Sequence, residues 1–475
     1  MKTQRQLLHW LGQSGGDDRP LQHLVLDSRR VQADDVFVAL PGQGGHGLDY
    51  LHQAIARGAA LVLSDRPATA PVPLVVIPDL RARLGDLARW YYDAPDEALT
   101  LVGVTGTNGK SSTVWYLVQL WQALGRRAAM IGTLGYGEPD RLQPAANTTP
   151  DVLTLQRLLR SFVDAGIQAV AMEVSSHAID QGRIDGLRFD AVVLTQMGRD
   201  HLDYHGSETA YHATKVRLFT DWPSGVQVLN AEDAQGRALA ALCSNPVTFG
   251  RQQAAHLRCV RLVAHEKGLK GLLQGEDGSL ACQTPLLGLF NWENICAALL
   301  ACAKTGGPPL NILVEQLRHL KPVAGRMEKI ADEPVVIIDY AHTPDGLAAL
   351  LESVRAHYPG RTLWLVFGAG GERDRGKRPL MGQVAAQWAD RIILTSDNPR
   401  CEDPQRILDD IAQGIAGKPL KIFRDRGRAI QTALQCARAQ DVVVIAGKGH
   451  ENTQQLCGQV RPFSDRDEVE KWLKR

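Results

Sequence analysis

No Cys-x-x-Cys pair occurs in the 475 residues, and the eight cysteines run only from Cys243 to Cys457, leaving the first half without one. That distribution excludes a disulfide framework and a zinc ribbon and reads as reduced thiols. An excess of one charge is also lacking. The 53 Lys and Arg nearly balance the 52 Asp and Glu, which removes bulk electrostatics as a means of holding nucleic acid or a membrane surface. Any anionic ligand must therefore be held by local charge. Nothing approaches the roughly 18 apolar residues of a membrane span, and the segment 1–16 has no apolar stretch of signal-peptide length. Internal repeats and low-complexity segments are missing too. These absences predict a soluble cytoplasmic chain with no nucleic-acid partner and no membrane insertion; a monomer is the state expected of it, though not from these absences.

What is present is an alternation of strand-length apolar runs with helix-length amphipathic stretches, the pattern of parallel sheets with crossover helices. Short strands are expected at 36–40, 61–64 and 74–77. Tyr92 to Thr100, with Asp93, Pro95, Asp96 and Glu97, breaks the periodicity and reads as a linker. Strands are next expected at 99–104, 167–174, 190–195 and 226–229. A second break falls at Lys321 to Gly325, and further strands are expected at 335–339, 362–367, 391–394 and 442–446. The chain thus divides into three α/β domains, 1–98, 99–324 and 325–475. The first is small, the second carries an ATPase-like parallel sheet, and the third is Rossmann-like.

The segment Gly106-Thr107-Asn108-Gly109-Lys110-Ser111-Ser112 follows the apolar run Leu99 to Val104 and precedes a helix-compatible stretch. A triphosphate cradle needs a Gly-permissive turn with converging amides, a lysine for the β/γ oxygens and a hydroxyl for Mg²⁺. Every part is present, although the strict G-x-x-x-x-G-K-[ST] spacing is missed by one residue, since Gly103 lies six positions before Gly109 and residue 104 is valine. ATP is the nucleotide expected and Mg²⁺ its metal.

In doubly wound sheets ligands gather at the carboxyl ends of strands. Glu173 lies near one such end and is a candidate Mg²⁺ ligand, because a carboxylate in an apolar strand needs a partner or a metal. After 190–195 comes a dense polar run, Gln196 to His205, in which His201 is a candidate second metal ligand. The wider constellation G-T-N-G-K-S-S, E-V-S-S-H-A, D-H-L-D-Y-H, F-N-W-E-N (290–294), G-R-M-E (325–328) and D-Y-A-H-T-P (339–344) resembles, in type and order, the Mur ligase family, over essentially the whole chain.

The resemblance implies an amide ligase of peptidoglycan precursor synthesis that activates a carboxylate as an acyl phosphate with ATP. Leu26, Ser28 and the loop Gln43, Gly44, Gly45 resemble the segments that hold the uridine end of a UDP-muramoyl-peptide. Asn147, Thr148 and Thr149 resemble the segment that meets its peptide part, with Ser175, Gln181 and Arg183 beside it. Lys215 matches the family lysine that becomes N-carboxylated, turning a cation into an anion that orients Mg²⁺. Lys110, Glu173, His201 and Lys215 are thus the catalytic set, and Ser111, Glu173, His201 and carboxylated Lys215 the metal set. Asn291 and Arg326 are implied to approach adenine and Asp339 the ribose.

The segment Asp397-Asn398-Pro399-Arg400 resembles that of diaminopimelate-adding members. The Arg400 fork suits a carboxylate that diaminopimelate offers and lysine lacks, and an unmet buried charge would discriminate strongly. Arg373, Gly447 and Glu451 complete this implied pocket. UDP-N-acetylmuramoyl-L-alanyl-D-glutamate, meso-2,6-diaminopimelate and ATP are then the expected substrates. His201, His342 or a water could take the proton of the incoming amine. A folylpolyglutamate synthetase, a Mur ligase adding another amino acid and a nucleotide-dependent switch are the rivals. The segment 397–400 and the first domain argue against the first two, and stoichiometric coupling of ATP hydrolysis to amide formation would exclude the third.

Overall fold

The computed structural model describes residues 2–42, 44–252, 254–276 and 278–474, so Gln43 lies outside the described residues. Two compact units are formed, one from Met1–Thr105, Leu124–Val192 and Thr214–Gln227, the other from Gly106–Ala123, Val193–Ala213 and Val228–Arg475.

The first unit opens with a four-stranded sheet in the order Leu24–Val25, Val36–Ala39, Leu61–Ser64, Leu74–Val76, parallel throughout. Both central strands are wholly buried, as continuous Val/Leu/Phe runs covered on both faces should be. Helix Leu80–Tyr91 buries Leu80, Leu84, Leu87 and Ala88 in the same core as Val36, Val38, Leu61 and Leu63. The expected linker holds a 3₁₀ turn, Pro95–Ala98, fixed by Arg89, whose Nε and Nη2 lie 3.0 and 3.1 Å from Asp96. Parallel strands Thr100–Thr105 and Ala128–Gly132 then flank Ala169–Glu173, whose register sets Glu173 opposite Val104.

In the second unit, helix Lys110–Ala123 packs against helix Asn291–Lys304. Three antiparallel strands, Leu257–His265, Gly268–Gly275 and Gly278–Thr284, were not foreseen from the sequence. They mix exposed polar residues with few buried ones, so their apolar runs are short. Farther along, a six-stranded sheet runs in the order Glu328–Asp332, Val335–Asp339, Val442–Ala446, Leu363–Phe367, Arg391–Thr395, Leu420–Phe423. Only the edge pair Glu328–Asp332 with Val335–Asp339 is antiparallel. The carboxyl ends of its parallel strands deliver Asp339, Gly368, Ser396 and Gly447 to one edge.

Candidate active site

The turn after strand Thr100–Thr105 takes conformations that glycine alone adopts without strain. Gly106 has φ +148°, and a Cβ there would sit 1.9 Å from Thr195 Oγ1; Gly109 has φ +85°, and its Cβ would sit 2.3 Å from Asn294 Oδ1. The segment Thr195–Gly198 grips this turn from outside. Thr195 Oγ1 donates to Asn108 O at 2.6 Å, Thr107 N donates to Gln196 O at 2.6 Å, and Gly198 N donates to Thr107 Oγ1 at 2.8 Å. Lys110 heads the following helix and folds its Nζ back to Gly106 O (2.8 Å) and Thr107 O (3.0 Å), directly over the turn. Ser111 and Ser112 are buried in the first turn. The arrangement is a rigid amide cradle with an ammonium at its mouth, built for an anion.

Next to it lies a cavity of about 110 Å³ walled by Asn108, Gly109, Ser112, Asn294, Arg326 and Asp339. Asn291 stands behind that wall, donating to Leu287 O at 2.6 Å and accepting from Asn294 Nδ2 at 3.2 Å. Asp339 accepts the amides of Met327 (2.6 Å) and Ala341 (2.7 Å). Burial nevertheless pushes its carboxyl up, against the opposing pull of Arg326 and these amides. The Arg326 guanidinium lies 4.4 Å from the Tyr340 ring centroid.

A larger cavity, about 450 Å³, contains the side chains of Asp200, His201, His342, Arg373, Lys377, Asp397, Asn398, Arg400 and Glu451 in its lining. His342 lines both cavities. Burial and then the nearby Lys377 ammonium hold its imidazole below the ordinary range, and its Nδ1 is 2.9 Å from Tyr340 O. The neutral ring thus donates through Nδ1 and keeps Nε2 as an acceptor. Burial opposes ionisation of Asp200 most strongly, yet His201, His342 and Lys110 outweigh it and hold the carboxyl low. Lys377 is itself pulled down by burial, against the attraction of Asp200, Asp397 and Asp374.

Around Arg400 the polar groups are closely interlocked. Arg400 has φ +52° and donates from Nη1 to Gly371 O at 2.6 Å. Asn398 donates to Glu451 Oε2 at 2.8 Å, and Lys448 donates to the same oxygen at 2.8 Å. Gly447 has φ +115°, and a Cβ there would strike Asp397 Oδ2 at 2.4 Å. That oxygen is buried with no hydrogen-bond partner among the described residues. Arg373 is half exposed, 3.4 Å from Asp203.

The first unit assembles a second group of the expected residues. Glu173 is 1% exposed, and Gly132 leaves room for it, since a Cβ there would lie 2.3 Å from its Oε1. Thr133 donates to it through both its amide (2.9 Å) and its hydroxyl (3.2 Å), and that hydroxyl also meets Thr148 Oγ1 at 3.1 Å. Thr149 Oγ1 donates to Glu173 O at 2.8 Å and accepts from Ser175 N at 3.2 Å. Arg183 Nη1 donates to Thr149 O at 2.8 Å, and its Nε donates to Gln181 at 3.0 Å. Asn147 is exposed, Ser28 is buried with its hydroxyl 2.7 Å from Gln53 Oε1, Leu26 is half-buried, and Gly44 and Gly45 are exposed. Lys215, in helix Glu208–Thr220, is only 1% exposed, where its sequence pattern alone favours an exposed helical lysine.

Three family models match this chain in order: "Mur ligase family, catalytic domain" over residues 20–92, "Mur ligase middle domain" over 104–302, and "Mur ligase, glutamate ligase domain" over 325–449. The chain belongs to the Mur ligase family. Among curated Mur ligases, the UDP-N-acetylmuramoyl-L-alanyl-D-glutamate--2,6-diaminopimelate ligase of Alkalilimnicola ehrlichii is 48% identical, with 99% of this chain and 98% of that protein covered. The Xylella fastidiosa protein of the same name is 44% identical over 94% of this chain and 93% of its own. A solved structure of a ligase so named aligns with a TM-score of 0.71 and 37% identity, covering 97% of this chain and 96% of that one. The three α/β domains of the Mur ligase fold are therefore those of this chain.

Sequence reasoning passed over several residues of this Mur ligase that organise the site. Lys448, wholly buried, sits between Gly447 and Gly449 at a strand end, a position that marks a ligand-facing loop. Arg378, also wholly buried, binds Glu402 at 2.7 Å and Asp410 at 2.9 Å and holds the Glu402 carboxyl down at about 2. Thr133 and Thr195 carried no motif signal. Their importance rests on contacts to residues far away in sequence.

Proposed function

We propose that this Mur ligase joins meso-2,6-diaminopimelate to UDP-N-acetylmuramoyl-L-alanyl-D-glutamate with consumption of ATP, in cytoplasmic peptidoglycan precursor synthesis, and works as a monomer of three domains, 1–98, 99–324 and 325–475. The observation that carries this reading is Arg400 in the 450 Å³ cavity, beside Asn398, Glu451 and Gly447. The activity named for the relatives agrees with it.

The amide turn from Gly106 to Ser112 holds the triphosphate of ATP, and Lys110 leaves its carbonyl partners to meet the β/γ oxygens. Arg326, together with Asn291 acting through Asn294, faces the adenine, and Asp339 the ribose. Ser111 would offer Mg²⁺ a hydroxyl oxygen at the phosphate turn, Glu173 and a carboxylated Lys215 carry hard oxygen donors of the class that Mg²⁺ takes, and His201 lines the larger cavity. When bound, that ion neutralises charge on the transferring phosphoryl group.

Leu26, Ser28 and the segment Gln43 to Gly45 hold the uridine end of the acceptor. Asn147, Thr148, Thr149, Ser175, Gln181 and Arg183 hold its muramoyl-peptide end. The D-glutamyl γ-carboxylate attacks the γ-phosphorus, the bond to the β-γ bridging oxygen breaks, and ADP leaves. The amine of diaminopimelate then attacks the acyl phosphate carbon through a tetrahedral intermediate and expels phosphate. Arg373, Asp397, Asn398, Pro399, Arg400, Gly447 and Glu451 hold the amino acid, with Arg400 on its distal carboxylate. The amine must lose a proton, and the neutral His342, whose Nδ1 faces Tyr340 O and whose Nε2 is then an acceptor, is chemically suited to take it.

The test is phosphate release by purified protein with ATP, Mg²⁺ and the UDP-muramoyl-dipeptide, comparing meso-diaminopimelate with L-lysine and weighing the product. Release and a tripeptide product with diaminopimelate alone are expected. Preference for lysine overturns the Arg400 reading, and turnover with neither overturns the ligase reaction. A ¹³C carbamate resonance from protein equilibrated with ¹³C-bicarbonate, lost in Lys215→Arg, tests the carboxylation, and sedimentation velocity tests the monomer.

A further inference from the structure

Beside the amino-acid pocket, the residue after Arg400 faces a second cysteine. Arg400 pairs with Leu456 as a parallel bridge. Its amide donates to Gln455 O at 3.2 Å, and its carbonyl accepts from Cys457 N at 2.7 Å. The same short strand is tied to the segment by Gln454 Nε2 on Asp397 O (2.6 Å) and Gln455 N on Asn398 Oδ1 (3.0 Å). Cys401 and Cys457 are the residues that follow this isolated bridge on its two sides, and the two thiols interact. The bridged backbones just before them are spaced as paired strands are, about 4.8 Å apart, and a disulfide needs about 4.4–6.8 Å between Cα atoms. Both thiols are exposed. The neighbouring Cys457 pushes the Cys401 thiol up. Of the other six cysteines, Cys436 alone is exposed.

We propose that Cys401 and Cys457 form a reversible disulfide that locks the segment Asp397–Arg400 onto the strand Thr453–Leu456 and weakens binding of the incoming amino acid. The functional half rests on the reading that Arg400 grips that amino acid. At rest Arg400 is turned onto Gly371 O, and its backbone is held at φ +52°. Presenting two nitrogens to a carboxylate requires the guanidinium to swing off that carbonyl, and a covalent tie at the next residue removes the backbone freedom to do so. The oxidant is a low-molecular-weight disulfide. One cysteine thiolate attacks it, forming a mixed disulfide and releasing one thiolate. The second cysteine thiolate then attacks the protein sulfur and expels the other. Two protein thiols are oxidised and one small disulfide is reduced to two thiols. An exposed pair of this kind belongs to the labile, regulatory class rather than the structural one.

The full-length protein is treated with oxidised glutathione, digested without reductant and mapped by mass spectrometry, with kinetics on the same sample. The expected result is a Cys401–Cys457 cross-linked peptide, lost in Cys401→Ser and in Cys457→Ser and retained in Cys436→Ser. The KM for diaminopimelate should rise about tenfold, the size of losing one modest polar contact, with the KM for ATP unchanged and full reversal by dithiothreitol. Glutathione adducts on the two cysteines without a cross-link overturn the proposal, as does a cross-linked enzyme with an unaltered amino-acid KM. If the reduced enzyme prefers another amino acid, the reading of Arg400 fails separately, and the KM of that amino acid becomes the readout.

Discussion

The Lys448 ammonium lies 2.8 Å from Glu451 Oε2 while its own side chain is wholly buried. It also donates to Asn398 Oδ1 at 3.2 Å, so one cation joins the segment after Arg391–Thr395 to the segment after Val442–Ala446. Its removal leaves a carboxylate and an amide without their common donor.

Lys448→Met should therefore destabilise the protein by about 1–3 kcal/mol, less than for a fully buried pair because Glu451 is 31% exposed. Its larger effect should be on the amino acid. KM for diaminopimelate rises by about tenfold or more while KM for ATP holds. Thermal melts and steady-state kinetics measure the two effects separately. An equal rise in both KM values would mean that Lys448 supports the fold alone.

Gly109→Ala should damage the nucleotide site selectively. The new Cβ meets Asn294 Oδ1 at 2.3 Å on a backbone held at φ +85°, and the left-handed conformation alone costs about 1–2 kcal/mol. Nucleotide affinity measured by calorimetry should fall by about tenfold or more, because the turn amides no longer converge. Unchanged affinity would show that the cradle tolerates a wider turn.

Much of this site could be read in the chain because its parts are local. Gly106 to Ser112 is one continuous motif, and Asp397 to Arg400 sits just past an apolar run, where a strand end is expected. Glu173 could be located for the same reason. The hydrogen bonds that fix these residues could not, since Thr195 bonds Asn108 and Thr133 bonds Glu173 across dozens of residues. Lys448 is a single lysine in a glycine-rich stretch until the fold buries it. The hairpin strands from Leu257 to Thr284 escaped for another reason, as their burial alternates weakly and gives no clear two-residue period.

Arg378→Met should test how far a buried guanidinium holds the loop that carries Arg373. It makes four hydrogen bonds, two to Glu402 and one each to Asp410 and Gly370 O, and its loss leaves Asp410 without that guanidinium and Glu402 with the exposed Arg375 at 3.2 Å. Removing one partner from such a network costs about 3–5 kcal/mol when all members are buried, and Asp410, at 36% exposed, reduces this to about 2–4 kcal/mol. Urea denaturation gives the number. A loss below about 0.5 kcal/mol, the level of an ordinary surface change, would rule out a structural role for the cluster.

Acid sensitivity should arise above the range where carboxylates protonate. Burial, and then the positive charge of Arg326, lowers the His450 imidazole to about 4, and burial also lowers His342 and His357. In the unfolded chain a histidine takes up its proton near the ordinary value of about 6.5. Between those two pH values the unfolded state binds more protons than the folded one, so stability is full above about 6.5 and declines as the pH falls toward about 4. The slope from one such group is at most about 1.4 kcal/mol per pH unit. His450→Gln carries no titrating proton and should flatten part of the decline when melting temperature is followed from pH 7.5 to pH 4.5. Parallel profiles for the two proteins would show that His450 is free to protonate in the fold.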